Sequence, residues 1–167
     1  MKNLLILRHA EAAGKASGGT DFERQLTDTG KDQARAQGVL LRTAQVGFDR
    51  IVASSALRAV QTAGAVREAA GFSGEVEVVE ALYNAPGEVL LEFVRGLPNE
   101  VSTLLMVAHL PGVAQLLSLL TTEHVDLEQI FSPGTMAGVQ AEGDSWEDLD
   151  YGVGALTLFI PPIIPFV

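Results

Sequence analysis

The chain has 167 residues and a mass of 17.7 kDa, about the size of one domain, and its 47% hydrophobic content excludes a disordered chain. It contains no cysteine, which excludes disulfide frameworks, thiolate metal sites and cysteine nucleophiles. Its formal net charge of −10 argues against a nucleic-acid-binding protein that neutralises phosphates.

The apolar stretches at the two ends of the chain are too short for membrane segments. Residues 1–7 run directly into Arg8, which is too brief a run for the core of a signal peptide. Residues 155–167 are interrupted by three prolines. We therefore expect a soluble, cytoplasmic protein that does not associate with a membrane.

Strand-like and helix-like segments alternate along the chain. In the first half, the predicted elements are a strand at 3–7, a helix from the N-cap Thr27 to about 45, a strand at 50–53 and a helix at 56–70 closed by Gly71. In the second half, they are strands at 75–79, 103–108, 135–140 and 155–160, with helices from Pro86 to about 95 and from Pro111 to 120. Prolines follow the last strand, which indicates an edge position.

This alternation predicts a three-layer α/β/α sandwich with a mostly parallel central sheet. We expect a single domain over residues 1–167, because no linker divides the sequence. No segment between the predicted strands is long enough to form a cap insertion, so we expect a site that is open to large substrates.

The charged residues are distributed unevenly. Residues 1–67 contain ten of the eleven lysines and arginines together with six acids, whereas residues 68–167 contain fifteen acids and the single base Arg95. Side chains that bind an anion must therefore come almost entirely from the first 67 residues. The alternative explanation of the acidic second half is an ordinary solvated surface.

Four basic or imidazole side chains follow the carboxyl ends of predicted strands. Arg8 and His9 come directly after the first strand, Arg58 lies at the start of the helix after the second, and His109 follows the strand at 103–108. Because ligands in open α/β sheets bind at the carboxyl ends of the strands, we expect these side chains to converge on one rim.

These residue types suit the binding and transfer of a phosphoryl group. Guanidinium groups bind phosphoryl oxygens in a bidentate manner and keep their charge at any working pH. A neutral imidazole is a competent nucleophile toward phosphorus without a metal ion. A second imidazole can donate a hydrogen bond to the phosphoryl group, and helices that begin after the strands add backbone N–H groups.

Several motifs occur in this strand–helix context and in a fixed order. They are Leu-Ile-Leu-Arg-His-Ala-Glu-Ala at 5–12, Ser-Ser-Ala-Leu-Arg-Ala-Val-Gln-Thr-Ala at 54–63 and Val-Ala-His-Leu-Pro-Gly-Val at 107–113. Together they resemble the histidine phosphatase superfamily, which includes the cofactor-dependent phosphoglycerate mutases. Residues 21–30, with Arg-Gln-Leu-Thr-Asp-Thr-Gly, are similar to a segment of the compact phosphohistidine phosphatase (SixA-like) branch, as are 82–85 and 131–146.

The resemblance implies a phosphoglycerate mutase-like fold and a set of roles. It implies that His9 is the nucleophile that becomes phosphorylated, that Arg8 and Arg58 bind phosphate, and that His109 is a hydrogen-bonding partner. The same family chemistry implies that the reaction requires neither a metal ion nor another cofactor.

Two glutamates are candidates for a general acid, which a phosphomonoester needs to protonate its leaving alkoxide. Larger relatives place a carboxylate after the third strand, where this chain has Glu80, and Glu11 lies beside the nucleophile. For each, the alternative is an ordinary surface glutamate. Arg24 is a further candidate for anion binding, and an ion pair with Asp21 or Asp28 is its alternative.

Other polar residues have simpler explanations. Ser54 and Ser55 are expected to cap the second helix, with phosphate contact as the alternative. His124 has acidic neighbours, as a metal ligand would, but we expect it to be exposed. The apolar residues 161–167 are expected to pack as a last segment of the core, and a dimer contact is the alternative.

The sequence therefore predicts a metal-independent phosphatase that works through a phosphohistidine intermediate. Its expected partner is a protein carrying phosphohistidine in a signalling system. A phosphatase of small phosphorylated metabolites, with Glu80 as the acid, is the first alternative. A non-catalytic module that binds phosphate is the alternative from another class. The oligomeric state stays open.

Overall fold

A computed structural model of the protein describes residues 1–122 and 126–163. His124 and the end of the apolar segment 161–167 lie outside the described residues. The strands are β1 (Lys2–Arg8), β2 (Arg50–Ser54), β3 (Val76–Val79), β4 (Thr103–Ala108), β5 (Met136–Ala141) and β6 (Gly154–Ile160). The helices are α1 (Asp28–Thr43), α2 (Leu57–Ala70), α3 (Gly87–Arg95), α4 (Gly112–Leu120) and α5 (Leu127–Ile130).

The six strands form one sheet in the order β3-β2-β4-β1-β5-β6. The pairs β1–β4, β2–β4 and β2–β3 are parallel, whereas β5 is antiparallel to both β1 and β6. The predicted α/β architecture with a mostly parallel sheet is confirmed. β6 occupies an edge of the sheet, as its following prolines indicate.

Helices cover both faces of the sheet, which gives three layers. Leu5 and Leu7 of β1 face the cluster that contains α1 and α2, while Leu4 and Ile6 face the cluster that contains α3 and α4. Successive side chains of a strand point to opposite faces, so a central strand with helices on both sides must be apolar at every position. This requirement explains the continuous apolar runs of β1 and β4.

The helix boundaries agree closely with the signals in the sequence. The Thr27 hydroxyl accepts the N–H of Gly30 at 3.0 Å and caps α1, and Gly71 ends α2 in the left-handed conformation with φ +73°. Pro86 and Pro111 each lie one residue before a helix. The four-residue α5 and the 3₁₀ turns Asp21–Glu23 and Glu80–Leu82 were not predicted, because such short elements have no hydrophobic period.

Among the helices of the described ranges, none is both long enough and apolar enough to cross a membrane.

The start of α1 packs tightly against the backbone that follows β1. The Thr27 N–H donates to the Glu11 carbonyl at 3.0 Å, and a Cβ added to Gly30 would collide with that same carbonyl oxygen. Only glycine allows this approach. The contact therefore fixes the segment that contains His9 against the first turn of α1.

We expect Gly30→Ala to lower the free energy of unfolding by about 1–3 kcal/mol, because the new methyl group meets backbone atoms that cannot move aside. Gly64→Ala in α2 is the matched control, since a Cβ there meets nothing within 4 Å. That control should raise stability by about 0.5–1 kcal/mol. Urea unfolding measures both, and equal stability of the two variants would contradict the packing argument.

Candidate active site

Two histidines and two arginines meet at the carboxyl ends of β1, β2 and β4. The rings of His9 and His109 lie 5.3 Å apart between centroids, and Nη2 of Arg58 lies 3.3 Å from Nδ1 of His109. Arg8 is close enough for its charge to lower the pKa of both histidines. The structure thus brings together the four side chains that the sequence placed at strand ends.

Both histidines are buried and neutral at physiological pH. His9 is 7% exposed and His109 is 2% exposed. Burial lowers the pKa of His9 to about 4, with further lowering by the charges of Arg58 and Arg8. Burial, followed by the neighbouring His9 and Arg58, lowers the pKa of His109 to about 3. A neutral imidazole keeps the lone pair that a nucleophile needs.

The backbone fixes which nitrogen of His9 carries the proton and which has the free lone pair. Nδ1 of His9 lies 2.8 Å from the carbonyl oxygen of Ala10, which only accepts, so Nδ1 carries the proton and Nε2 has the free lone pair. The Ala10 N–H donates to Thr62 Oγ1 at 3.0 Å, and the Glu11 N–H donates to Gln33 Oε1 at 3.0 Å. Side chains of α1 and α2 thus hold the loop that orients the ring.

A serine at the end of β2 contacts the second histidine. Ser54 Oγ lies 2.6 Å from Nε2 of His109 and accepts the N–H of Ala56 at 3.3 Å. The N-cap residue of α2 is Ala56, and no side-chain hydrogen bond caps this helix. The expected capping of α2 by Ser54 and Ser55 is therefore wrong: Ser54 binds only the N–H before the first turn, and the Ser55 hydroxyl has no partner among the described residues. The contact with His109 was not predicted, because it joins residues 55 positions apart.

Three buried donors on residues of this rim have no hydrogen-bond partner among the described residues. They are Nε of Arg8, Nε of Arg58 and the hydroxyl of Ser55. Arg58 is 3% exposed, and Arg8 satisfies only Nη1, which donates to the Phe131 carbonyl at 2.9 Å. A buried donor without an acceptor is costly, so this donor set is one that an oxyanion would satisfy.

Asp21 binds three side chains around the site. Its carboxylate accepts from Arg58 Nη2 at 3.1 Å, from the Tyr83 hydroxyl at 2.8 Å and from Arg24 Nη1 at 3.0 Å. The bonds from Tyr83 and Arg24 hold the pKa of this carboxyl group well below its ordinary value, so it is ionised. Its backbone oxygen also accepts from Arg58 Nη1 at 2.8 Å. Asp21 therefore fixes the plane of the Arg58 guanidinium.

The predicted alternative for Arg24, an ion pair with Asp21, is present. Arg24 also donates from Nε to the Ala13 carbonyl at 2.7 Å, and its charge lowers the pKa of His9. The other expected partner, Asp28, instead lies 3.9 Å from Lys31. Binding of an anion by Arg24 stays a prediction.

The two candidate acids lie in different surroundings. The Glu11 carboxylate accepts from the Thr27 hydroxyl at 2.8 Å and is exposed. Glu80 is exposed at the start of the 3₁₀ turn that directly follows β3, and its side chain has no hydrogen bond within the described residues. Its role as an acid stays a prediction.

Aromatic side chains line one side of the histidine pair. Tyr83 contacts His109 edge-on at 5.6 Å, and Phe22 contacts Tyr83 edge-on at 5.3 Å. Phe22 is 42% exposed, so an apolar surface lies at the mouth of the site. Across residues 1–122 and 126–163, no group of three or more His, Asp or Glu side chains is arranged to hold a metal ion.

The low pKa values of the two histidines predict a loss of stability in mild acid. Both groups bind protons in the unfolded chain near pH 6.5 but resist protonation in the folded protein until about pH 4 and about pH 3. The free energy of unfolding should therefore fall as the pH is lowered from 7 to 5, with a slope that approaches about 2.7 kcal/mol per pH unit for two protons.

Urea unfolding at pH 7, 6 and 5 measures this slope. His109→Asn removes one titrating ring and should lower the slope by about half. Equal slopes in both proteins would show that the buried ring is not the source of the effect.

Comparisons with known proteins agree with this geometry. Residues 4–86 match the family model of the histidine phosphatase superfamily (branch 1). The phosphohistidine phosphatase SixA of Escherichia coli (strain K12) is 33% identical over 118 residues, which cover 69% of this chain and 71% of the relative.

Two solved structures extend the likeness to nearly the whole chain. A structure of the protein histidine phosphatase SixA complexed with tungstate is 27% identical, with a TM-score of 0.81 over 96% of this chain and 97% of its own. A candidate SixA phosphohistidine phosphatase from Nakamurella multipartitia is 29% identical, with a TM-score of 0.83 over 97% and 96%. On the evidence of its paired histidines and arginines, its sheet and these relatives, the chain belongs to the histidine phosphatase superfamily.

Proposed function

We propose that the protein is a phosphatase that hydrolyses a phosphoryl group through a phosphohistidine at His9, without a metal ion. The observation that carries this proposal is the position of a deprotonated Nε2 beside two arginines whose buried Nε–H groups have no acceptor in the part of the chain that the structure describes. A phosphoryl group supplies those acceptors, and its negative charge offsets the repulsion between the two guanidinium groups.

In the first step, Nε2 of His9 attacks phosphorus, and the bond to the leaving group breaks on the opposite side with its electron pair. Arg8 and Arg58 stabilise the charge on the equatorial oxygens. The Ala10 carbonyl accepts a hydrogen bond from Nδ1–H and stabilises the positive charge that develops on the ring. In the second step, water attacks phosphorus and releases phosphate, and His9 returns to its neutral form.

The substrate that the site favours is phosphohistidine in a protein. An imidazole leaving group needs less protonation than an alkoxide. The nearby carboxylates are poorly suited as acids, because Asp21 is ionised by its three donors and Glu11 is bound to Thr27. The relative named SixA in Escherichia coli is a phosphohistidine phosphatase, and a SixA structure has been solved in complex with the oxyanion tungstate.

The surface around the site also suits a protein substrate. The segment between β3 and β4 holds only a 3₁₀ turn and α3, so we propose that no cap covers the rim. The exposed ring of Phe22 at the mouth offers an apolar contact to a partner surface. The acidic second half of the chain disfavours nucleic acids and highly anionic small molecules by long-range repulsion.

Hydrolysis of small phosphomonoesters is the second candidate, and the placement of Glu80 favours it. Glu80 lies at the carboxyl end of β3, beside the strand β2 that ends in Ser54, and its carboxylate is free among the described residues. A substrate that reaches from the arginines to this edge could take a proton from it.

Brief exposure to ³²P-labelled phosphohistidine protein, followed by rapid quenching, should place the label on the enzyme. The bond should be labile in acid and stable in base, as phosphorus bound to imidazole nitrogen is. His9→Ala should carry no label. A wild-type protein that binds phosphate but never becomes labelled would be a binding module and would contradict the proposal.

The two candidate substrates separate in a Glu80→Gln variant. Turnover of a phosphohistidine protein should be unchanged, whereas turnover of a sugar phosphate should fall by about 10²-fold if Glu80 donates the proton. Glu100→Gln, an exposed site at the opposite end of the sheet just before β4, is the control. A comparable loss with both substrates would show that Glu80 acts in a different way.

A further inference from the structure

We propose that Ser54 is a positioning residue that lets His109 carry its proton on Nε2 in the free protein and on Nδ1 when a phosphoryl group is bound. The inference rests on the proposed function, because it concerns the same site. It assigns Ser54 a role beyond its bond to the Ala56 N–H. In this role the hydroxyl accepts a hydrogen bond from His109 in one state and donates one to it in the other.

The hydrogen bonds of the free protein determine the first state. Arg58 can only donate, so Nδ1 of His109 at 3.3 Å from Nη2 accepts and has no proton. The proton of the neutral ring is therefore on Nε2, and Nε2–H donates a hydrogen bond to Ser54 Oγ at 2.6 Å. The other bond of this hydroxyl oxygen is also an accepted one, from the Ala56 N–H.

A bound phosphoryl group reverses the requirement at Nδ1. Nδ1 of His109 faces the Arg58 guanidinium, and the ring lies 5.3 Å from the ring of His9, so this nitrogen is the one at the anion site. Phosphoryl oxygens only accept hydrogen bonds. An unprotonated Nδ1 would place its lone pair against the negative charge of an oxyanion and be repelled. A protonated Nδ1 would donate a hydrogen bond to the oxyanion instead.

A change of the His109 proton from Nε2 to Nδ1 gives a donor at the anion site and keeps the buried ring neutral. His109 is 2% exposed, and burial opposes a second proton on the ring. The ring releases its Nε2 proton to water and takes one from water at Nδ1 as the phosphoryl group enters, so its proton count does not change. The Ser54 hydroxyl then rotates and donates to Nε2, which would otherwise be a buried acceptor without a donor. Alanine at this position can provide neither bond.

The direct test is NMR of the imidazole nitrogens in ¹⁵N-labelled protein, alone and saturated with tungstate as an inert oxyanion. His109→Asn identifies the His109 signals. We expect the proton on Nε2 in the free protein and on Nδ1 in the complex. A proton that stays on Nε2 in the complex, or a ring protonated at both nitrogens, would overturn the inference.

The same spectra separate this inference from the proposed function. If tungstate leaves the signals of both His9 and His109 unchanged, the proposed anion site is wrong, and the role of Ser54 fails with it. If tungstate shifts the His9 signals while the proton of His109 stays in place, only the role of Ser54 is overturned.

Kinetics of Ser54→Ala distinguish positioning from a purely structural role. At pH 7 we expect about a tenfold loss of kcat/KM for the phosphoprotein, because one buried hydrogen bond is missing. The loss should persist from pH 8 to pH 6, because the buried His109 stays neutral over this range and gains no second proton that would restore Nδ1–H. Ser54→Thr keeps the hydroxyl and should restore most of the activity. Ser118→Ala, an exposed serine on α4, is the control. A loss that disappears toward pH 6, or one that threonine does not rescue, would contradict the inference.

Discussion

Arg58 carries a permanent positive charge that is almost completely buried, and the arrangement of the site follows from the need to satisfy it. A buried guanidinium requires acceptors and a counter-ion, or its desolvation is not compensated. Asp21 supplies a carboxylate and a backbone oxygen, and His109 supplies a ring nitrogen, yet within residues 1–122 and 126–163 Nε has no partner. Burial, followed by the charge of Arg58, lowers the pKa of Arg8, as expected for neighbouring cations. A dianion would offset this positive charge, and this is the physical basis of the phosphoryl binding that we propose.

Burial also keeps His9 in the neutral form that the proposed nucleophile requires. The environment that binds an anion opposes a proton on either histidine, so both rings are neutral where an exposed imidazole would be partly charged. The free energy of unfolding therefore falls in acid, because the histidines bind protons in the unfolded chain at a pH where they stay unprotonated in the folded protein. The backbone carbonyl of Ala10 then selects the nitrogen that attacks. The burial of these side chains at the carboxyl end of the sheet thus determines both their charge state and the chemistry that we propose for them.

The fold and the principal site residues could be predicted from the sequence because they depend on local signals. Buried parallel strands are continuous apolar runs, and side chains that directly follow such strands, like His9 and His109, must lie on the same edge of the sheet. The supporting residues could not be predicted in this way. Thr62 accepts the backbone N–H of Ala10, directly after His9, and Ser54 contacts the ring of His109. These contacts span 52 and 55 residues and depend on side-chain directions that no local pattern encodes. Asp21 lies in a 3₁₀ turn without periodicity, where only its spacing from Arg24 was a signal.

The central claim is that the guanidinium groups of Arg8 and Arg58 hold the oxygens of a phosphoryl group in line with Nε2 of His9. A crystal structure of the protein with tungstate is the most direct measurement. The account predicts tungsten on the axis of the Nε2 lone pair, with its oxygens at hydrogen-bond distance from both Nε–H groups. An oxyanion bound elsewhere, or one bound here with Nδ1 of His9 turned toward it, would contradict the account.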